Sequence, residues 1–167
     1  MKLTAPVPIS ENHDCSKFSC GTPSLDEWLR QRALSNQRDD ASRTYVLCED
    51  QCVIAYFALA SSSVALIEAA GRFRRNMPDP IPVIVLARLA VDTALKSKGL
   101  GRALFRDAAF RVLAAADIIG ARGMIVHAVS DEARAFYEAV GMRASPLSPM
   151  TLMLTCADLR MGLRNTD

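Results

Sequence analysis

The sequence predicts one α/β or α+β domain spanning residues 1–167, with a mixed sheet covered by helices. Three observations predict it. The chain has 167 residues, about one domain's worth. Half of them are hydrophobic and 23% are charged, enough for a sizeable core in an ordinary globular chain. In the second half, apolar strand-like runs alternate with amphipathic helical runs, a pattern that favours parallel pairing there.

The elements follow in order. "GTPSLDEWLRQRALSNQ" reads as one helix. Thr22 or Ser24 caps it, Ser24 with Glu27 makes a capping box, and Pro23 suits the first turn. Leu25, Trp28, Leu29 and Arg32 fall on one face, where Arg32 offers only its stem to the core. "RTYVLCED" and "CVIAYFALASSSVALIE" read as strands joined through the polar "EDQ" turn. "GRFRRNMPDPIP" is a basic, proline-punctuated loop. "VIVLARLAVD" is apolar on both faces apart from Arg88, so it belongs in the middle of the sheet. A helix then runs from about Gly101 to Ala116, with Leu104, Ala108, Arg111 and Ala115 at helical spacing. "RGMIVHAV" is a buried strand, "SDEARAFYEAVGM" a helix closed by Gly141, and "PMTLMLTCADL" a last strand with a polar end.

The charge balance excludes little. A net charge of +2 does not by itself mark a nucleic-acid binder, so local clusters carry the information. The start "MKLTAPVPIS" has no apolar core of a signal peptide, and "PIPVIVLA" is soon interrupted by Arg88, so no membrane partner and a cytoplasmic address are expected. Cys15, Cys20, Cys48, Cys52 and Cys156 make an odd count, which fits reduced thiols. Cys15/Cys20 and Cys48/Cys52 offer a four-thiolate zinc set, but their spacings miss the usual two intervening residues. Buried or surface thiols fit better, and no metal is expected.

The chemistry begins at "ALKSKGLGRALF", where a strand turns into a helix. A helix start exposes backbone N–H groups with no intrahelical acceptor, and its dipole adds partial positive charge, so the turn is an anion site. Gly99 and Gly101 clear the way to the backbone, while Lys96, Lys98 and Arg102 add charge. The turn is not a P-loop, since no Gly-Lys-Ser/Thr follows at the required spacing. Nor is it a dinucleotide fingerprint, because Leu104 stands where a third glycine belongs.

Lys96-x-x-Gly99-x-Gly101, after "RLAVD", resembles the pyrophosphate loop of the GCN5-related N-acetyltransferases (GNAT), written Gln/Arg-x-x-Gly-x-Gly/Ala. Lys96 replaces the Gln or Arg. "SDEARAFYEAVGM" resembles the family's N-x-x-A-x-x-Phe/Leu-Tyr-x-x-x-Gly-Phe segment: Ala133, Phe136, Tyr137 and Gly141 match, while Ser130 and Met142 depart from it. The two segments occur in the family's order with a strand between them. "FSCGTPSLDEWLRQRA", "SRTYVLCEDQCVIAYFALASSSV" and "PIPVIVLARLAVD" extend the resemblance to the GNAT toxins of bacterial toxin–antitoxin modules.

The resemblance implies a mixed central sheet flanked by helices and splayed between its fourth and fifth strands. It implies acetyl-CoA as cosubstrate, with Leu89, Ala90 and Val91 offering backbone hydrogen bonds to the pantetheine arm. Lys96, Lys98, Gly99, Leu100, Gly101, Arg102 and Ala103 would hold the pyrophosphate, and Ser130, Ala133 and Phe136 would line the far wall. It further implies transfer of acetyl to the α-amino group of aminoacyl-tRNA, a block of translation, a ribbon–helix–helix antitoxin and a homodimer. The chemistry of the residues fits. An α-amino group titrates at about 7.7–8.0, so a strong base is not needed; the departing thiolate benefits from an acid. Tyr137, a proton donor at working pH, is assigned that part. A backbone N–H of "LAV" would meet the oxyanion.

Other residues are weighed against plainer roles. His127 sits mid-strand and reads as a satisfied core or sheet residue rather than a base. Phe136 and Tyr137 alone would read as core packing. Arg72, Arg74 and Arg75 form the densest basic group and are assigned, with Arg88, to tRNA; the plain alternative is a solvated basic loop. Arg30, Arg32, Arg38 and Arg43 are offset by Glu27, Asp39 and Asp40. Two rival functions stay open at this stage: a GNAT enzyme acting on a small amine or protein N-terminus, and a non-catalytic CoA-binding module.

Overall fold

Two two-residue strands and five longer ones form a seven-stranded mixed sheet in a computed structural model that describes residues 3–165. In chain order the elements are β1 (Val7–Pro8), α1 (Pro23–Gln31), α2 (Ala33–Arg38), β2 (Arg43–Glu49), β3 (Cys52–Val64), β4 (Ile81–Val91), α3 (Leu100–Ile119), β5 (Gly123–His127), α4 (Asp131–Ala139), β6 (Arg143–Ala144), β7 (Thr151–Thr155) and α5 (Cys156–Arg164). The strand order is β1-β2-β3-β4-β5-β7-β6. β2 and β3 form an antiparallel hairpin, and Asp50 and Gln51 at its tip take φ of 49° and 68°. Both turn residues are left-handed, the twist that two-residue hairpins favour. β4 and β5 pair in parallel through Ile84↔Met124, Val85↔Ile125 and Leu86↔Val126. β4 runs on to Val91 beyond that register.

The chain divides into two compact units. The first takes the chain up to Ala60 with Ala87–Ala108; the second takes Ser61–Leu86 and the chain from Ala109 onward. The first unit's core gathers Ile9, Phe18, Cys20, Leu29, Ala33, Val46, Cys48, Val53, Tyr56 and Ala90. α1 feeds it Leu29, fully buried, with Leu25 and Trp28 packed at its edge. Burying one such aliphatic side chain contributes about 1.5–3 kcal/mol. The second unit's core gathers Val64, Ala69, Phe73, Ile81, Val83, Ile125 and Met153. There α4 packs on β7, and α5 packs on β5 and β7.

Several elements depart from the sequence expectation. The single N-terminal helix is two, because Arg32 leaves helical geometry (φ −121°, ψ −30°) and starts α2 while its N–H still donates to the Trp28 carbonyl. Thr22 is the N-cap and Pro23 opens the first turn, but no Ser24–Glu27 capping box forms. Asp26 is buried instead and accepts the Cys20 N–H at 2.9 Å. The basic loop holds a 3₁₀ turn, Gly71–Arg74, pinned by the buried Phe73. α3 begins at Leu100 and ends at Ile119, longer at both ends than expected. The polar end of the last strand is α5: the Thr155 hydroxyl caps it by accepting the Asp158 N–H at 3.1 Å. β1 and β6, two residues each, carry no pattern long enough to read.

Candidate active site

In the first unit the site begins where β4 ends. Leu89 and Val91 are half-buried, and Ala90 points into the core. Asp92 then locks the chain: its N–H donates to the Ile54 carbonyl at 2.9 Å, and its carboxylate accepts from Ser19 N–H and Ala94 N–H. A 3₁₀ turn, Thr93–Leu95, follows with Leu95 buried. This anchoring sets the position of the next residues. Ser97 and Gly99 take φ of 66° and 79°, and Gly99 accepts the Ala103 N–H at 3.2 Å, so it is the residue that launches α3. A β-carbon at Gly99 would meet nothing within 4 Å. The glycine is therefore demanded by its left-handed backbone, not by crowding.

The N–H groups of Leu100, Gly101 and Arg102 have no acceptor earlier in the helix, as at any helix start. Lys98, Gly99, Arg102 and Ala103 are exposed around them. Lys96 is turned the other way: a β-carbon built on Gly21 would lie 3.5 Å from its Nζ. Its ammonium accordingly sits near Cys20, whose thiol is pushed up chiefly by burial while Lys96 counteracts.

In the second unit α4 carries the second segment of the resemblance. Ser130 is its N-cap, with the hydroxyl accepting the Ala133 N–H at 3.1 Å. That explains why serine can stand where the family often has asparagine: both cap. Asp131 and Glu132 occupy the first turn, and Arg134 pairs with Glu138 at 2.7 Å. Ala133 and Phe136 are half-buried; Tyr137 is buried. Phe136 stands edge-on to Tyr137, with centroids 5.2 Å apart. Gly141, at φ 104°, closes the helix, as expected. Burial pushes the Tyr137 phenol above its ordinary value, so it keeps its proton throughout the neutral range.

The arginines separate into distinct environments. Arg72 lies 3.3 Å from Asp158, and its carbonyl and that of Phe73 accept from the Arg122 guanidinium. Arg74 and Arg75 are exposed, and no ion pair holds them among the described residues. Arg38 pairs with Glu11, and Arg43 with Asp40 at 2.6 Å, so that second basic group is largely internally balanced. Arg88 lies over the Trp28 ring, 4.2 Å from its centre. His127 is exposed rather than in the core, because it ends β5, and its Nδ1 is 3.0 Å from the Thr151 hydroxyl. The five cysteines are free thiols, and among the described residues no three His, Cys, Asp or Glu side chains are grouped to hold a metal ion.

The model of the acetyltransferase (GNAT) family matches residues 9–142. The chain belongs to the GNAT acetyltransferases. Within the family, it is 52% identical over 157 residues to the "tRNA-acetylating toxin" of Mycobacterium tuberculosis, covering 94% of this chain and 95% of that protein. The solved structure of AtaT complexed with acetyl-methionyl-tRNAfMet matches with a TM-score of 0.88 at 24% identity, over 96% of this chain and 98% of that one. An AtaT tyrosine-to-phenylalanine mutant, bound to the C-terminus of the antitoxin AtaR and acetyl-CoA, matches with a TM-score of 0.81 at 25% identity, over 96% and 97%. The GNAT fold is therefore shared along nearly the whole length. Sequence reasoning missed two features of this GNAT chain: the Thr155–Asp158 cap, legible as Thr-x-x-Asp, and the seat of Arg88 on Trp28, which no local pattern announces.

Proposed function

We propose that this chain is a toxin: an acetyl-CoA-dependent N-acetyltransferase that acetylates the α-amino group of aminoacyl-tRNA and so blocks translation. The observation that carries it is the 52% identity, over 94% of the chain, to a tRNA-acetylating toxin. The AtaT structures with acetylated tRNA, with acetyl-CoA and with antitoxin support the same reading. A cognate ribbon–helix–helix antitoxin would neutralise it, and the working form is a homodimer of a single functional domain. The chain is assigned to the cytoplasm, where charged tRNA is found; no helix among the described residues is long and apolar enough to cross a membrane.

The residues fit the coenzyme. Left-handed Gly99 opens the start of α3, nothing crowds it, and Lys98 and Arg102 stand exposed beside it, a setting for a diphosphate. Leu100, Gly101 and Arg102 add backbone N–H groups there, whereas Ala103 gives its N–H to the Gly99 carbonyl and the Lys96 ammonium lies on the Gly21 side. Leu89, Ala90 and Val91 offer backbone groups beyond the β4–β5 register to the pantetheine arm. Ser130, Ala133 and Phe136 form the wall that α4 presents. The coenzyme supplies the acyl group as a thioester. The attacking α-amine, titrating at about 7.7–8.0, arrives partly neutral and asks for no strong base. Tyr137 holds its proton in a buried site and gives it to the departing sulfur, while the proton that the amine nitrogen sheds on acylation passes to water, from which the phenol is reprotonated. Arg74 and Arg75, with Arg72 partly committed to Asp158, contact tRNA phosphates.

Purified protein incubated with acetyl-CoA and total charged tRNA is expected to yield acetylated aminoacyl ends. Replacing Arg72, Arg74 and Arg75 together by Gln should cut that rate at least about tenfold and flatten its salt dependence, with small-amine acetylation nearly unchanged. A protein that acetylates small amines but never charged tRNA overturns the proposal in favour of an ordinary GNAT enzyme.

A further inference from the structure

Arg88 is a half-buried cation on β4 whose bonding needs the fold leaves open. Its seat is rigid. The guanidinium carbon lies 4.2 Å from the centre of the Trp28 ring. Trp28 is itself stacked on Tyr56, with centroids 6.0 Å apart and planes 11° from parallel. The Tyr56 hydroxyl donates to the Leu25 carbonyl at 2.7 Å, and Phe18 stands edge-on to the same ring at 5.6 Å. α1 thus fixes the platform from one side and β3 from the other.

Among the described residues no carboxylate pairs with Arg88, and none of its five N–H donors meets an acceptor. Desolvation lowers its pKa, with the electrostatic pull of the Tyr56 phenol opposing it. A ring face returns only about 0.5–2 kcal/mol, less than the desolvation of a fully enclosed charge. The guanidinium is not enclosed, however. Among the described residues the fully buried side-chain polar atoms left without a partner are the Ser42 and Thr44 hydroxyls, so the unpaired Arg88 nitrogens are not fully buried. One face is propped on an indole, the donor edge is open, and no counter-charge competes. This is how a guanidinium is prepared to take a phosphate with two parallel hydrogen bonds.

Its place along the strand narrows the ligand. Arg88 and Ala90 share one face of β4 by strand alternation, and Ala90 belongs to the same cluster that Trp28 packs against. Arg88 immediately precedes the segment Leu89–Val91 that the proposed function sets beside the acetyl-bearing arm. An anion reached from Arg88 therefore lies close to the amine being acetylated. We infer that Arg88, held donor-edge outward on Trp28, binds a phosphodiester beside the esterified 3′ nucleotide of charged tRNA, with Trp28 as its positioning residue. This rests on the tRNA reading and adds the contact that separates a charged tRNA from a free aminoacyl ester.

The test compares two acceptors: charged tRNA, and methyl esters of the amino acids that the wild-type protein acetylates on tRNA. Arg88→Gln should lower kcat/KM on charged tRNA at least tenfold, mainly through KM, and reduce the salt dependence by about one phosphate contact. Its kcat/KM on the methyl ester and its affinity for acetyl-CoA by calorimetry should stay within about twofold of wild type. Trp28→Leu should reproduce the KM defect in part, and Trp28→Phe, which keeps a ring face, should restore most of it. Equal losses on both acceptors would mark Arg88 as a structural residue and overturn this inference alone, as would an unchanged KM for tRNA. A wild-type protein active on the ester but inert on tRNA would overturn the parent reading together with it.

Discussion

Each compact unit of this chain buries a tyrosine: Tyr56 in the first and Tyr137 in the second. Desolvation drives both phenols upward, and both lie against another aromatic ring. Their settings nonetheless differ. Tyr56 lies mid-strand among Phe18, Trp28 and Leu29, and its hydroxyl is spent on the Leu25 carbonyl. Tyr137 rides on a short helix whose start is capped by Ser130 and whose end is closed by Gly141, within the segment that matches the family motif. A raised pKa therefore does not distinguish a catalytic acid from a core residue. The element that carries the phenol, and the motif around it, do.

The sharpest way to break this contrast is to remove each hydroxyl in turn. Tyr137→Phe should lower acetylation of charged tRNA by about 10²–10⁴-fold, while acetyl-CoA binding survives. Tyr56→Phe should leave turnover within a few-fold and cost about 0.5–1.5 kcal/mol in urea unfolding, the worth of one buried hydrogen bond. If Tyr56→Phe inactivates and Tyr137→Phe does not, the two roles are reversed. A smaller effect is expected at the glycine turn. Gly99→Ala places a side chain on a backbone at φ 79°, a strain of about 1–2 kcal/mol. Coenzyme affinity should fall by a comparable factor of about ten, and calorimetry would read it directly.

The smallest effect concerns pH. Burial, then the neighbouring Cys15 and Cys52 sulfurs, push the Cys48 thiol from an ordinary 9.0 up to about 11. The folded state holds that proton more tightly than the unfolded chain does. The resulting stability is complete below about pH 9 and is lost as pH climbs through about 11. Cys15 and Cys20 shift in the same direction, burial being the main cause. Unfolding free energies from urea titrations between neutral pH and pH 10.5 should fall for the wild type by on the order of 1 kcal/mol, and Cys48→Ala should flatten part of that fall. An identical slope in the variant would remove Cys48 from the account.

Much of this architecture was legible because long apolar periods and glycines act locally. The β2–β3 hairpin, the parallel β4–β5 pair, α3 and α4 all carry patterns of five residues or more. The glycine turn was legible because Gly99 is forced by its own backbone. What escaped depends on distant partners or on very short segments. The break at Arg32, the burial of Asp26 against the Cys20 N–H, and the two-residue strands β1 and β6 are decided by tertiary contacts. α5 escaped because "TLMLTCADL" runs a strand straight into a helix with no breaker, and only Thr155 marks the change. Arg88 was noticed as a charge in an apolar strand, yet its platform lies 60 residues away at Trp28.

β4 serves two masters at once. Ile81 and Val83 go to the second unit's core, and Ala90 goes to the first unit's core. Inserting or deleting one residue near the middle of this strand would turn Arg88 and Ala90 away from Trp28 and swing Leu89 into their place. Evolution can therefore reshape the loops around this strand freely, but its length is locked, and relatives should vary there by exchange of side chains rather than by gaps.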